Sequence, residues 1–190
     1  MADDNNENEN AAEASVPRKK RLKTGVMALA ILVSVVCLID WNATVTWPVM
    51  QALSDDGPHD VMVYRRWLLS PNEIVFDIRS ASTQGSMADM DRLLFKAAEA
   101  LKDRQFDHVV LAYHGSGKML LAGDLFRLIG QTREFENPVY LIRTLTEHVT
   151  NIDGTPAFGT WTGGWLGVLG KQLDDHNQFH QRWWVQSATN

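Results

Sequence analysis

Apolar positions recur along the chain in three patterns. From Gly25 to Ile39 (GVMALAILVSVVCLI) they form an uncharged run of fifteen residues. A membrane-spanning helix needs about 20 such residues, or about 17 at the short end. The polar but nearly uncharged Asp40–Trp47 (DWNATVTW) lengthens the run, and Trp41 and Trp47 suit a membrane–water interface. The second pattern has a helical period: Met87, Met90, Leu93, Leu94, Ala97, Ala98 and Leu101 share one face. Ser86 with Asp89 three residues on forms a capping box, and Lys102 and Arg104 suit the C-terminal end of that helix. The third pattern is the short continuous run, Ile74–Ile78 and Val109–Tyr113, expected of strands covered on both faces. Strand, helix and strand this close together predict a parallel crossover.

The remaining elements follow from turn chemistry. Val61–Leu69 reads as a strand, joined to Ile74–Ile78 as a hairpin through Ser70–Glu73. His114-Gly115-Ser116-Gly117 is a turn, Lys118–Leu121 a short strand, and Leu125–Gly130 a short helix capped by Asp124. Pro138–Thr144 (PVYLIRT) reads as a third core strand, and Glu147–Phe158 as a loop turning at Asp153-Gly154. Thr162-Gly163-Gly164 opens a last helix with a stripe of Leu166, Leu169, Leu173, His176 or Asn177, His180 and Trp183–Trp184. Gly163, Gly164, Gly167 and Gly170 leave one side of it bare for close packing. The expected fold is α/β: a small, mostly parallel sheet with flanking helices, preceded by a single transmembrane helix. The expected divisions are a disordered acidic tail (1–17), a basic flank (18–24), a membrane anchor (25–42), a linker (43–60) and an exported α/β domain (61–190).

Charge sharpens the reading of the N-terminus. Residues 1–17 carry five acids and residues 18–23 five bases, so the rest of the chain holds the whole net charge of −5. An acidic body has no electrostatic footprint for nucleic acid. Bases before the apolar run and Asp40 after it put the N-terminus in the cytoplasm. A cleaved secretory signal can have an apolar region this short, but no A-x-A site follows, which favours an uncleaved signal anchor. The body is then exported, to the periplasm if the source is Gram-negative, and the chain sits in the inner membrane. Its bilayer contact is residues 25–42. Cys37 is the sole cysteine, so no intrachain disulfide forms.

Candidate chemistry is sparse. The His114–Gly117 turn with Lys118 lacks the G-x-x-x-x-G-K-[ST] spacing of a phosphate loop and reads as a plain turn. His176 and His180 share a helix face at i and i+4, but Asn177 stands where a metalloprotease has its glutamate and no third ligand is identifiable. A solvated helix face is the simpler reading, with no metal and no cofactor expected. Ser80, Ser82, Ser86, Ser116 and Thr162 lie at element ends, with His108 and His114 bordering a strand, yet no spacing singles out a nucleophile and its base.

The run IVFDIRS, the helix Met87–Lys102, HVVLAY and then Ala122-Gly123-Asp124-Leu125 resembles the repeating unit of the Clp protease/crotonase superfamily. Crotonases carry an A-G-x-D-L loop whose glycine amide helps form an oxyanion hole; this chain is one residue short of it. Gly159–Gly164 opening a helix is similar to the way a Clp-type protease presents its serine, with Thr162 at the matching position. The resemblance implies a membrane-tethered hydrolase or acyl-transfer enzyme with Thr162 as nucleophile and the Gly123 amide at the oxyanion; no histidine lies where the following strand should bring one, and His114 is the nearest candidate for a base. With no complete catalytic set, the preferred expectation is a non-catalytic envelope domain that binds a protein partner or a second copy. Trp161, Trp165, Trp183 and Trp184 are the candidate aromatic patch, or equally core packing.

Overall fold

The computed structural model describes residues 18–55, 60–80, 86–133, 135 and 138–188. The acidic tail 1–17, Ser82, and the side chains of the basic flank and of Trp165 lie outside the described residues. Contacts divide the chain into two units, residues 1–39 and 40–190.

The first helix, α1, runs from Arg18 to Leu53. From Gly25 onward it is long and apolar enough to cross a membrane, and the apolar side chains of Val26 to Ile39 are exposed apart from Leu38, which is half-buried. The segment read as a linker, 43–60, is helical as far as Leu53, with Pro48 inside the helix. The reason is packing: Val45 and Val49, four residues apart, are fully buried in the core of the second unit. Burial of each contributes about 2 kcal/mol, which a linker would forgo.

Five strands follow in spatial order β1-β2-β3-β4-β5, the same as their order in the chain. They are β1 (Asp60–Arg65), β2 (Glu73–Ser80), β3 (His108–Tyr113), β4 (Ser116–Ala122) and β5 (Val149–Asn151). β2 and β3 pair in parallel across α2 (Met87–Ala100), as their spacing predicts. The other three pairings are antiparallel, so the sheet is mixed and not mostly parallel. Two local facts cause this. His114 and Gly115, both at positive φ, make a two-residue hairpin turn that sends β4 straight back along β3. Pro138–Thr144, read as a third core strand, lies in helix α4 (Pro138–Leu145). Its Leu141 and Leu145 are buried at i and i+4 while Val139 and Tyr140 face out, a helical pattern that a seven-residue apolar run hides.

Alternation along the strands separates two faces. Ile74, Phe76, Ile78, Val109, Leu111, Met119 and Leu121 point into the main core with α2, α3 (Gly123–Thr132) and α5 (Trp165–His180). Val75, Val110, Ala112 and Leu120 form a small cluster on the other side. That side also holds an open cavity of about 340 Å³ bounded by Tyr64, Trp67, Val110 and Ile152. β3 is therefore covered by helices on one face only. The Ser86–Asp89 capping box is present, and Gly130 of α3 lies so close to α2 that a Cβ there would meet the Ala98 carbonyl oxygen at 2.2 Å.

The last helix departs most from its predicted stripe. Leu166 and Leu173 are exposed, while Gln172, Asp175, His176, Phe179 and His180 are buried. A π-helical turn, Gln181–Val185, then carries Trp183 and Trp184 into the core. Gly163, Gly164, Gly167 and Gly170 have no neighbour within contact of a would-be Cβ, so they mark no close packing.

Candidate functional site

The buried face of α5 is polar because it has a partner on α2. Asp91, 2 % exposed, stands between His176 and His180. His176 Nε2 lies 3.0 Å from Asp91 Oδ2, His180 Nε2 lies 3.1 Å from Oδ1, and the two ring nitrogens are 3.3 Å apart. His180 is wholly buried and His176 is 7 % exposed. The expectation of a solvated helix face is thus overturned, and the third group that sequence spacing does not reveal is Asp91, 85 residues before His176. Its only trace in the sequence is an acid on the apolar face of an amphipathic helix, one position beyond Met90.

The network fixes the protons. Trp184 donates its indole N–H to Nδ1 of His180 at 3.0 Å. Nδ1 therefore presents a lone pair, and the ring N–H is on Nε2, aimed at Asp91. Asp91 accepts one N–H from each histidine. Burial pushes its carboxyl up, but the hydrogen bonds from His176 and His180 and the attraction of their rings outweigh this and hold it below the ordinary carboxylate range.

Asp91, His176 and His180 also offer three donor atoms close enough to share a metal ion. Ligands about 2.0 Å from a tetrahedral ion stand roughly 3.3 Å apart, close to the separations here. The ring chemistry points the other way. Ligation through Nε2 leaves the proton on Nδ1, which then needs an acceptor, and Trp184 offers only a donor. As arranged, the residues fit a hydrogen-bonded triad and not a metal centre.

Asp91 also forms part of the wall of an open cleft of about 460 Å³ between α2 and α4. Phe95, Leu141 and Ile142 supply apolar walls, and Arg92 and Arg133 supply charge. Arg133 pairs with Glu99 and Arg92 with Asp89. On the same helices and the segment between them, Leu128 of α3, Phe135, and Val139 and Tyr140 of α4 are exposed. Among the described residues, no serine, threonine or cysteine side chain is hydrogen-bonded to the triad.

The residues implied by the crotonase resemblance are not drawn together. His114 and Gly123 flank β4 at opposite ends, about 20 Å apart at the rise of a strand. The Gly123 amide donates to the Asp107 carbonyl at 3.0 Å, and a Cβ there would meet the Phe106 carbonyl oxygen at 1.8 Å. Its glycine is needed for a close backbone crossing. Thr162 is exposed and, among the described residues, bonds to no histidine. Of the four tryptophans, Trp183 and Trp184 are buried, Trp183 donating to the Ala112 carbonyl at 3.2 Å. Trp161 is partly exposed and donates to Asp175 at 2.6 Å. Comparison of the chain with protein-family models, with curated proteins and with solved structures finds no match.

Proposed function

We propose that the chain is a single-pass membrane-anchored envelope protein whose exported α/β domain is a non-catalytic protein-interaction module. The orientation is N-terminus in the cytoplasm and domain in the periplasm, from the bases that precede the apolar run. The observation that carries the interaction reading is the exposed apolar surface of α3 and α4. Leu128, Phe135, Val139 and Tyr140 are exposed on and between these helices, and Leu141 and Ile142 of α4 line a cleft with apolar walls. Exposed apolar clusters of this kind mark protein-binding sites, and arginines at the edge give a partner's carboxylate something to meet. Asp91, braced by two histidines, holds the helix that forms one wall. The acyl-transfer alternative has no comparable observation behind it: His114 and Gly123 lie beyond opposite ends of β4.

Site-specific photocross-linking in intact cells tests the reading. A photoreactive residue at Tyr140 is expected to give one discrete adduct, and a control at Lys102 none. An adduct of twice the chain's mass identifies a second copy. No adduct from Tyr140, or equal adducts from both positions, overturns the proposal.

A further inference from the structure

The turn after β1 displays three large apolar side chains in succession. Trp67, Leu68 and Leu69 are 78 %, 51 % and 64 % exposed. Trp67 and Leu68 have φ values of 56° and 60°, a left-handed conformation that bulky residues rarely adopt. Such backbone persists only where its surroundings hold it, and here the holders are residues of α1. Asn42 donates its side-chain amide to the Leu68 carbonyl at 2.9 Å and accepts the Arg65 amide at 3.0 Å. Arg65 is buried, packs over the Trp41 ring at 4.0 Å, and donates to the carbonyls of Trp41 at 3.3 Å and Pro71 at 2.7 Å. A further bond from its guanidinium reaches Thr44 Oγ1.

The anchoring point decides what the turn faces. Trp41 and Asn42 follow the last residue of the apolar run, Ile39, within the same helix. At a rise of about 1.5 Å per residue they stand within about one turn of where that run ends. A spanning segment from Gly25 to Asn42 is about 27 Å long, close to the hydrocarbon thickness of a bilayer. Side chains fixed to Asn42 are thus fixed to the edge of that thickness, the depth at which tryptophan and leucine partition favourably and amphipathic rings collect.

We propose that the Trp67-Leu68-Leu69 turn is a second membrane contact, seated in the headgroup–acyl boundary of the outer leaflet of the membrane that α1 crosses. It rests on the anchor of the proposed function. The occupant is lipid: Trp67 also borders the open cavity on the uncovered side of the sheet, but Leu68 and Leu69 do not line it, and the three adjacent apolar side chains, tied to the end of the apolar run, suit a fluid apolar phase.

Electron paramagnetic resonance on the full chain in nanodiscs of phosphatidylethanolamine and phosphatidylglycerol tests this. With Cys37→Ser as background, single spin labels are placed by Val33→Cys, Trp67→Cys, Leu69→Cys and Asp153→Cys. The Trp67 and Leu69 labels are expected to lose relaxation by a water-soluble nickel chelate and gain relaxation by oxygen, relative to Asp153. Accessibility equal to that of Asp153 overturns the proposal while Val33 remains lipid-protected. An unprotected Val33 overturns the anchor itself. Protection that appears only in discs holding several copies assigns the turn to a protein interface and also overturns the lipid reading. Leu69, already exposed and outside the positive-φ pair, carries the measurement if Trp67→Cys does not fold.

Discussion

Asp91 is a carboxylate that owes its ionisation to two neighbours. Its folded pKa is depressed, so it contributes stability above the unfolded carboxylate value and loses it as pH falls through the folded value. Asp91→Asn is expected to cost about 3 kcal/mol at neutral pH, since it leaves buried groups unpaired. It should also flatten the part of the stability profile below about pH 4; denaturant unfolding at a series of pH values measures both. Zinc added to the native domain is expected to leave the melting temperature unchanged, because Trp184 occupies His180 Nδ1 as a donor. A rise in melting temperature with zinc that vanishes in His176→Ala would show that the indole gives way to an ion. The pair at i and i+4 was visible in the sequence. Asp91 was not, because an acid on an apolar helix face reads as an interruption until the partner helix is known.

Helix α4 shows why short apolar runs mislead. PVYLIRT contains β-branched and aromatic residues and fits a strand as well as a helix, and only burial at i and i+4 decides between them. In the helix, Leu145 is inward and Tyr140 outward. Leu145→Ala is expected to lower stability by about 3 kcal/mol, and Tyr140→Ala by less than about 0.5 kcal/mol, read from denaturant midpoints. Equal losses would contradict the helical assignment. α2, by contrast, was legible almost to the residue, since a capping box and a regular apolar face both agreed on it. α5 was legible as a helix but not as a face. Its buried side is Gln172, Asp175, His176 and His180, and a stripe of polar residues looks solvent-facing unless the groups they bond are known. Gln172, for example, links Arg143 to Glu147 across two elements.

For the molecule as a whole, the boundary between anchor and domain falls earlier than composition implies. The end of α1 contributes Val45 and Val49 to the core, and Asn42 and Thr46 hydrogen-bond to β1 and the turn beyond it. A chain of residues 40–190 is therefore expected to unfold at a higher denaturant concentration than one of 61–190, by about 4 kcal/mol for the two valines alone; identical midpoints would return residues 43–60 to the role of a linker. The parallel β2–β3 unit was readable from its spacing, whereas the antiparallel remainder depended on a two-residue turn and a helix mistaken for a strand.

The placement of Trp183 has a consequence for how the chain is made. Its ring meets Phe76 and its indole N–H reaches the Ala112 carbonyl, 71 residues earlier. The strands can pair in the order in which they leave the ribosome, each beside its predecessor. The core they build with α2 and α3 lacks one large ring until the π-helical turn emerges. A nascent chain halted before Gln181 would leave Phe76 without that partner, apolar surface of the kind that chaperones capture, so the π-helical turn works as a latch on a sheet already paired.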